Sequence, residues 1–104
     1  MHMSNVETIP GRTITGSLGL VTGSTVRAKH LGKDIFAGLK NIVGGELKAY
    51  TELLNESRNE ALQRMIMQAH SMGANAIVNV RFATSNVASG DSELFCYGTA
   101  VIVE

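Results

Sequence analysis

Apolar residues recur at spacings of three, four and seven through the middle of the chain, at Leu47, Tyr50, Leu54, Ala61, Met65, Ala69 and Met72. That spacing follows the 3.6-residue helical turn and predicts one long amphipathic helix from about residue 46 to 72, with one face buried. Polar Lys48, Glu52, Glu56, Asn59, Gln63 and His70 fall between, and Glu60 stands four residues ahead of Arg64, the favoured order for an ion pair. Gly44-Gly45 marks the start, and Gly73 supplies the left-handed residue on which helices stop. Unbroken, this helix is roughly 40 Å long at 1.5 Å per residue, against a diameter of roughly 33 Å for a compact chain of this length. It therefore overhangs its own subunit unless it bends near Asn55 to Asn59 or a second subunit covers its end. Leu53, Leu62 and Ile66 widen the apolar stripe on one flank and favour a second packing partner.

Upstream, Ile35, Phe36, Leu39, Ile42 and Val43 follow a helical pattern behind Asp34 as a cap, which predicts a shorter helix closed by Gly44-Gly45. Downstream, residues 76–82 and 94–103 are rich in β-branched and aromatic side chains and flank a turn-forming stretch from Asn86 to Ser92, the pattern of a hairpin. Thr13 to Val26 has strand composition but is interrupted by Gly16, Gly19 and Gly23, which permit a bulge or a close backbone approach. A short leading strand is expected around Asn5 to Ile9. The order β-β-α-α-β-β gives an α+β fold, a small antiparallel or mixed sheet packed on one long and one short helix.

Length and charge narrow this picture. A chain of 104 residues with 44% hydrophobic positions forms one domain with a real core. Met1-His2 ahead of Met3 reads as an appended start, which puts the domain at 4–104 and leaves His2 out of the site reasoning. Nine basic and nine acidic residues cancel, so there is no bulk attraction to nucleic acid or to an anionic membrane. The balance hides a split: residues 1–45 carry a surplus of three positive charges, and the remainder an equal deficit. Opposed halves of this kind can mate head to tail. A lone Cys96 excludes an intramolecular disulfide, no signal-peptide pattern opens the chain, and no apolar run suffices to cross a bilayer. The expected compartment is the cytoplasm.

Candidate chemistry is sparse. His30, His70 and Cys96 are the soft or borderline metal ligands, and no two have ligand spacing. Cys96 in an apolar strand reads more simply as a small buried hydrophobe. His70 reads more simply as a charge against the helix dipole. Ring symmetry could still gather one such ligand from each subunit around a divalent or heavy-metal ion. Arg27, Lys29 and Lys33 form the one basic cluster, an anion site if they flank a helix start and a solvated patch otherwise. Glu52, Glu56 and Glu60 share a helix face, where a partner's cation would relieve their repulsion. Ser71 beside His70 points away from it on a helix, and no nucleophile elbow exists, so a non-enzymatic protein is expected.

Several short stretches together resemble one family: Lys33-Asp34-Ile35-Phe36-Ala37, Ile42-Val43-Gly44-Gly45, then Tyr50, Leu54, Glu56, Arg58 and Ala61 along the helix, Gly73-Ala74-Asn75-Ala76-Ile77-Val78, and Gly98-Thr99-Ala100-Val101. In this order they are similar to the YbjQ-like family of bacterial and archaeal proteins, labelled heavy-metal-binding and of unknown function. The resemblance covers most of the chain. It implies a small α+β subunit assembling into a ring-shaped homopentamer. The resulting expectation is an oligomeric, non-enzymatic protein with a small-molecule or ion site between subunits. The alternative is a metal-binding protein whose His and Cys ligands are gathered by the ring.

Overall fold

The computed structural model describes residues 1–25, 46–87 and 91–104. The predicted short helix around Ile35 to Val43 lies outside them. The described elements are β1 (His2–Met3), β2 (Ile14–Ser24), α1 (Glu46–Ser71), β3 (Ala76–Val87) and β4 (Asp91–Val103). The strands form one mixed sheet in the order β1-β3-β4-β2, in which β1 is parallel to β3 and the other pairs are antiparallel. The α+β expectation holds.

The long helix forms as one unbroken element of 26 residues, about 39 Å at 1.5 Å per residue. Gly73, at φ +88°, ends it: its N–H donates to the His70 carbonyl, and the Ala74 N–H reaches back to Ala69. These two bonds satisfy carbonyls that the last turn would otherwise orphan. Ala61, Met65 and Ala69 are fully buried, one per turn, against Val21, Ile77, Cys96 and Ala100 of the sheet. Met72, expected on the same face, is 37% exposed because the helix has already ended at Ser71. From Thr51 to Glu60 no described side chain is buried. This part of α1 is less closely packed than the stretch from Ala61 to Ala69. The radius of gyration is 16.5 Å, against about 13 Å for a compact chain of this length.

Three small residues let helix and sheet approach closely. Ala61 and Ala69 give α1 a shallow surface, and Gly23 of β2 sits where a methyl group would overlap the Ala61 carbonyl oxygen and crowd the Met65 amide nitrogen. The glycines that seemed to interrupt β2 do not end it. Gly16 and Gly19 sit beside the register shifts between Ile14 and Gly16 and between Ser17 and Gly19, Gly19 has φ +111°, and Gly23 stays in regular register with Cys96. The outer edge of β2 meets α1 through side chains: the Thr22 N–H donates to Gln68 Oε1 at 2.8 Å, and Arg64 Nη1 donates to the Ser24 carbonyl at 2.6 Å. The other Arg64 nitrogen, Nη2, pairs with Glu60 at 2.7 Å, the ion pair predicted from the spacing.

The leading strand is His2–Met3 rather than Asn5 to Ile9, where the backbone bends and only Ile9 is buried. Alternation explains the shift: the His2 N–H bonds the Asn75 carbonyl and the Ser4 N–H that of Ile77, which uses the edge of β3 at its first turn of ladder. Ile9 then covers the sheet face away from the helix, with Ala76, Val78, Val101 and Val103. Asn75 joins the helix stop to the end of β4. Its Nδ2 donates to the Val103 carbonyl and its Oδ1 accepts the Val103 N–H, both at 2.8 Å. Asn75→Ala leaves both Val103 groups without a protein partner, and should cost about 1–3 kcal/mol in urea unfolding. A loss under about 0.5 kcal/mol would show that water replaces the amide fully.

The hairpin is longer than its apolar pattern. The β3–β4 ladder continues from Ala76↔Val101 to Val87↔Asp91, through residues read as turn. It is also irregular. Between Val78↔Thr99 and Arg81↔Tyr97, β3 spends one more residue than β4, and Asn79 sits in the left-handed region at φ 54°. This bulge has a clear effect on the side chains. Strict alternation from Ile77, which faces the helix, would put Asn79 and Arg81 in the helix-facing core and Val80 and Phe82 on the other side. The extra residue reverses that, so Val80 packs on the helix-side core while Arg81 leaves it. Asn tolerates the left-handed conformation better than other non-glycine residues.

Candidate functional site

Arg27, Lys29, His30 and Lys33 all lie outside the described residues. The two remaining candidates are far apart in character. His70 is exposed in the last turn of α1. Cys96 is fully buried in the helix-side core, where desolvation pushes its thiol pKa up against a smaller lowering by hydrogen bonds from the Gly23 and Cys96 backbone. A metal site needs a deprotonated, accessible thiolate or several converging nitrogens. Cys96 offers neither access nor an easily formed thiolate, and among the described residues no three His, Cys, Asp or Glu side chains converge. The described part of one subunit does not fit a metal.

The raised thiol has a consequence for stability. The native state holds the Cys96 proton more tightly than the unfolded chain, whose thiol ionises near about pH 8.5. Cys96 therefore leaves stability unchanged below that pH and lowers it above, as unfolding begins to release a proton. Urea midpoints at pH 7 and 9.5 should fall with pH in the parent and fall less in Cys96→Ala. Equal slopes would exclude the thiol as the cause.

Two cavities lie along the flank of α1 that faces β1. One, of about 410 Å³, takes in Met1, His2, Ile66, His70 and Asn75. It brings His2 and His70 to one cavity, but His2 is in register with Ala76, whose side chain belongs to the face away from the helix. The strand register thus turns the two imidazoles to different sides. The larger cavity, of about 440 Å³, has walls of Met3, Leu62, Val80 and Phe82 and polar positions at Ser4, Asn5 and Arg81. It is an open groove, mostly apolar with a few polar groups, the mixed lining that small-molecule sites share. Arg81 is held there by its Nη1, which donates to the carbonyls of Asn5 at 2.5 Å and Val80 at 3.0 Å. Among the described residues no carboxylate pairs with it. Nothing in the sequence pattern singled out this arginine.

Comparison with known proteins bears on the whole chain. A family model described as "Putative heavy-metal-binding" matches residues 1–104. The chain is 66% identical over 104 residues to a UPF0145 protein of Hahella chejuensis, covering all of both chains. It is 69% identical over 96 residues to a UPF0145 protein of Acinetobacter baylyi, covering 92% of this chain and 89% of that one. Among solved structures, a DUF74-family protein of unknown function from Pediococcus pentosaceus superposes with a TM-score of 0.62 at 15% identity, covering 100% of this chain and 98% of that one. That likeness supports the fold alone.

Proposed function

The chain belongs to the YbjQ family, and from that premise we propose that it is a non-enzymatic subunit of a homo-oligomeric ring, a pentamer, in which neighbouring copies create a small-molecule or ion site. The observation that carries this reading is the exposure of the N-terminal part of α1. A helix stretch with no buried side chain among the described residues from Thr51 to Glu60 gains little from its own sheet, since helix stability in proteins comes mainly from packing an apolar face. Exposed Leu20, 67% accessible on the edge strand β2, and Met67, 70% accessible on the outside of α1, add apolar area that a second copy would cover. The opposed charge of the two parts of the chain favours head-to-tail contact, which closes into rings. Light scattering after gel filtration at micromolar concentration should give five chain masses. A monomer would overturn the proposal.

Exposed His70 favours a second reading, in line with the family's description. One imidazole from each subunit could surround a divalent or heavy-metal ion on a ring axis. Calorimetric titration with zinc, copper and nickel checks it: the expected uptake is fewer than one ion per chain, abolished by His70→Ala. Uptake unchanged by that substitution would discard this ligand. No helix among the described residues is long and apolar enough to cross a membrane.

A further inference from the structure

The larger cavity beside α1 is lined by residues of one chain, and it combines features that the proposed assembly does not account for. Its walls, Met3, Leu62, Val80 and Phe82, are apolar, and Met3 and Phe82 remain 38% and 45% exposed. Methionine walls adapt to varied apolar shapes. One strong cation, Arg81, stands at the edge of this apolar surface. The bulge at Asn79 turns Val80 toward the helix side and Arg81 away from it, and the arginine's Nη1 bonds to Asn5 and Val80 hold its head group at that edge. Bulges commonly re-aim a side chain beside a site, and here the side chain turned toward the apolar wall is Val80. Two backbone carbonyls fix Arg81 through Nη1 alone. Its Nη2 and Nε donors have no partner among the described residues, so a planar pair of N–H groups is left in a held orientation.

We propose that this cavity binds a small amphiphilic carboxylate, a medium-chain or aryl acid whose apolar body lies on Met3, Leu62, Val80 and Phe82 while its carboxylate takes the free edge of Arg81. A carboxylate matches the guanidinium fork with two parallel hydrogen bonds. A single arginine supplies that pairing without the further donors that phosphate sites gather from a loop or helix N-terminus. The two parts of the ligand are recognised separately, which gives the test its form.

Decanoate and its uncharged counterpart decanol should be compared on the purified full chain by displacement of anilinonaphthalene sulfonate and by calorimetry. Decanoate is expected to bind at least about tenfold more tightly than decanol, the contribution of a charge-assisted pair. Arg81→Met should erase that difference and leave decanol binding unchanged. Because Arg81 also ties down Asn5, a second variant leaves it in place: Leu62→Trp fills the cavity and should weaken both ligands at least about tenfold, with the circular dichroism spectrum retained. Equal affinities for decanoate and decanol, or binding untouched by Leu62→Trp, would overturn the proposal. So would a Leu62→Trp chain that changes its oligomeric mass but keeps decanoate, since that assigns the groove to subunit contact. Binding does not require the ring, so a monomeric mass would defeat the assembly and leave this site standing.

Discussion

Gly23→Ala should cost about 3 kcal/mol or more, enough to leave a small domain partly unfolded at ordinary temperature. The added methyl would overlap the carbonyl oxygen of Ala61 and crowd the amide nitrogen of Met65. Both are helix backbone, and neither can turn aside as a flexible side chain would. Relief requires lifting α1 from the sheet, which uncovers Val21, Met65 and Cys96 together. Gly16→Ala is the matched control on the same strand. A methyl there meets only Ile102 side-chain carbons, at 3.7 and 3.9 Å, ordinary van der Waals separations. The loss of glycine's freedom in the unfolded chain should make that change neutral or slightly stabilising, by up to about 1 kcal/mol. Urea unfolding followed by far-ultraviolet circular dichroism separates the two. If both variants unfold at the same midpoint, the close approach of helix and sheet at Gly23 is wrong.

Met65→Ala is expected to lose about 2–5 kcal/mol, the range for truncating a large buried aliphatic side chain. Met65 has no exposed surface and is among the largest side chains so enclosed among the described residues. Its neighbours on the helix face, Ala61 and Ala69, are already small, so they cannot swing in to fill the space and the cost should fall in the upper part of that range. Met65→Leu keeps most of the volume and should cost less than about 1.5 kcal/mol. The unfolding slope should stay constant across the series, since the surface exposed on unfolding scarcely changes. A Met65→Ala loss below about 1 kcal/mol would mean that the helix settles into the gap.

The strongest periodicities were legible in the sequence. The 3.6-residue pattern located α1 to within a residue at its C-terminus, because Gly73 is both a compositional break and the residue whose positive φ closes the helix. The β-branched run from Leu94 to Val103 gave the body of β4 for the same reason: half of its positions face a core. Features set by tertiary pairing were not legible. β1 is two residues long, His2–Met3, too short for any alternation to register. The outer third of the hairpin is held by cross-strand pairing, and polar Thr84, Ser85 and Ser92 gave no strand signal. The bulge was hidden because Ala76 to Phe82 reads as a plain strand whichever face its odd positions take. Only the packing of Val80 on the helix side shows that the phase changes at Asn79. The larger cavity went unseen for the same cause, since Val80 joins its wall only through that change of phase. Burial of Cys96 followed its apolar setting, whereas Arg27, Lys29, His30 and Lys33 fall where no residue is described.

The contacts that Gln68 and Arg64 make with β2 reach beyond the packing of one helix. An edge strand offers its free N–H and C=O groups to any extended chain, which is how native sheets seed aggregates. On β2 the Thr22 N–H and the Ser24 carbonyl are already taken by the helix side chains. A foreign strand therefore finds its register blocked at that end and open only toward Leu20 and below. Loss of these two side chains would leave the fold its core while removing a guard on its border. A Gln68→Leu, Arg64→Leu protein would be expected to melt only slightly earlier and to precipitate far more readily.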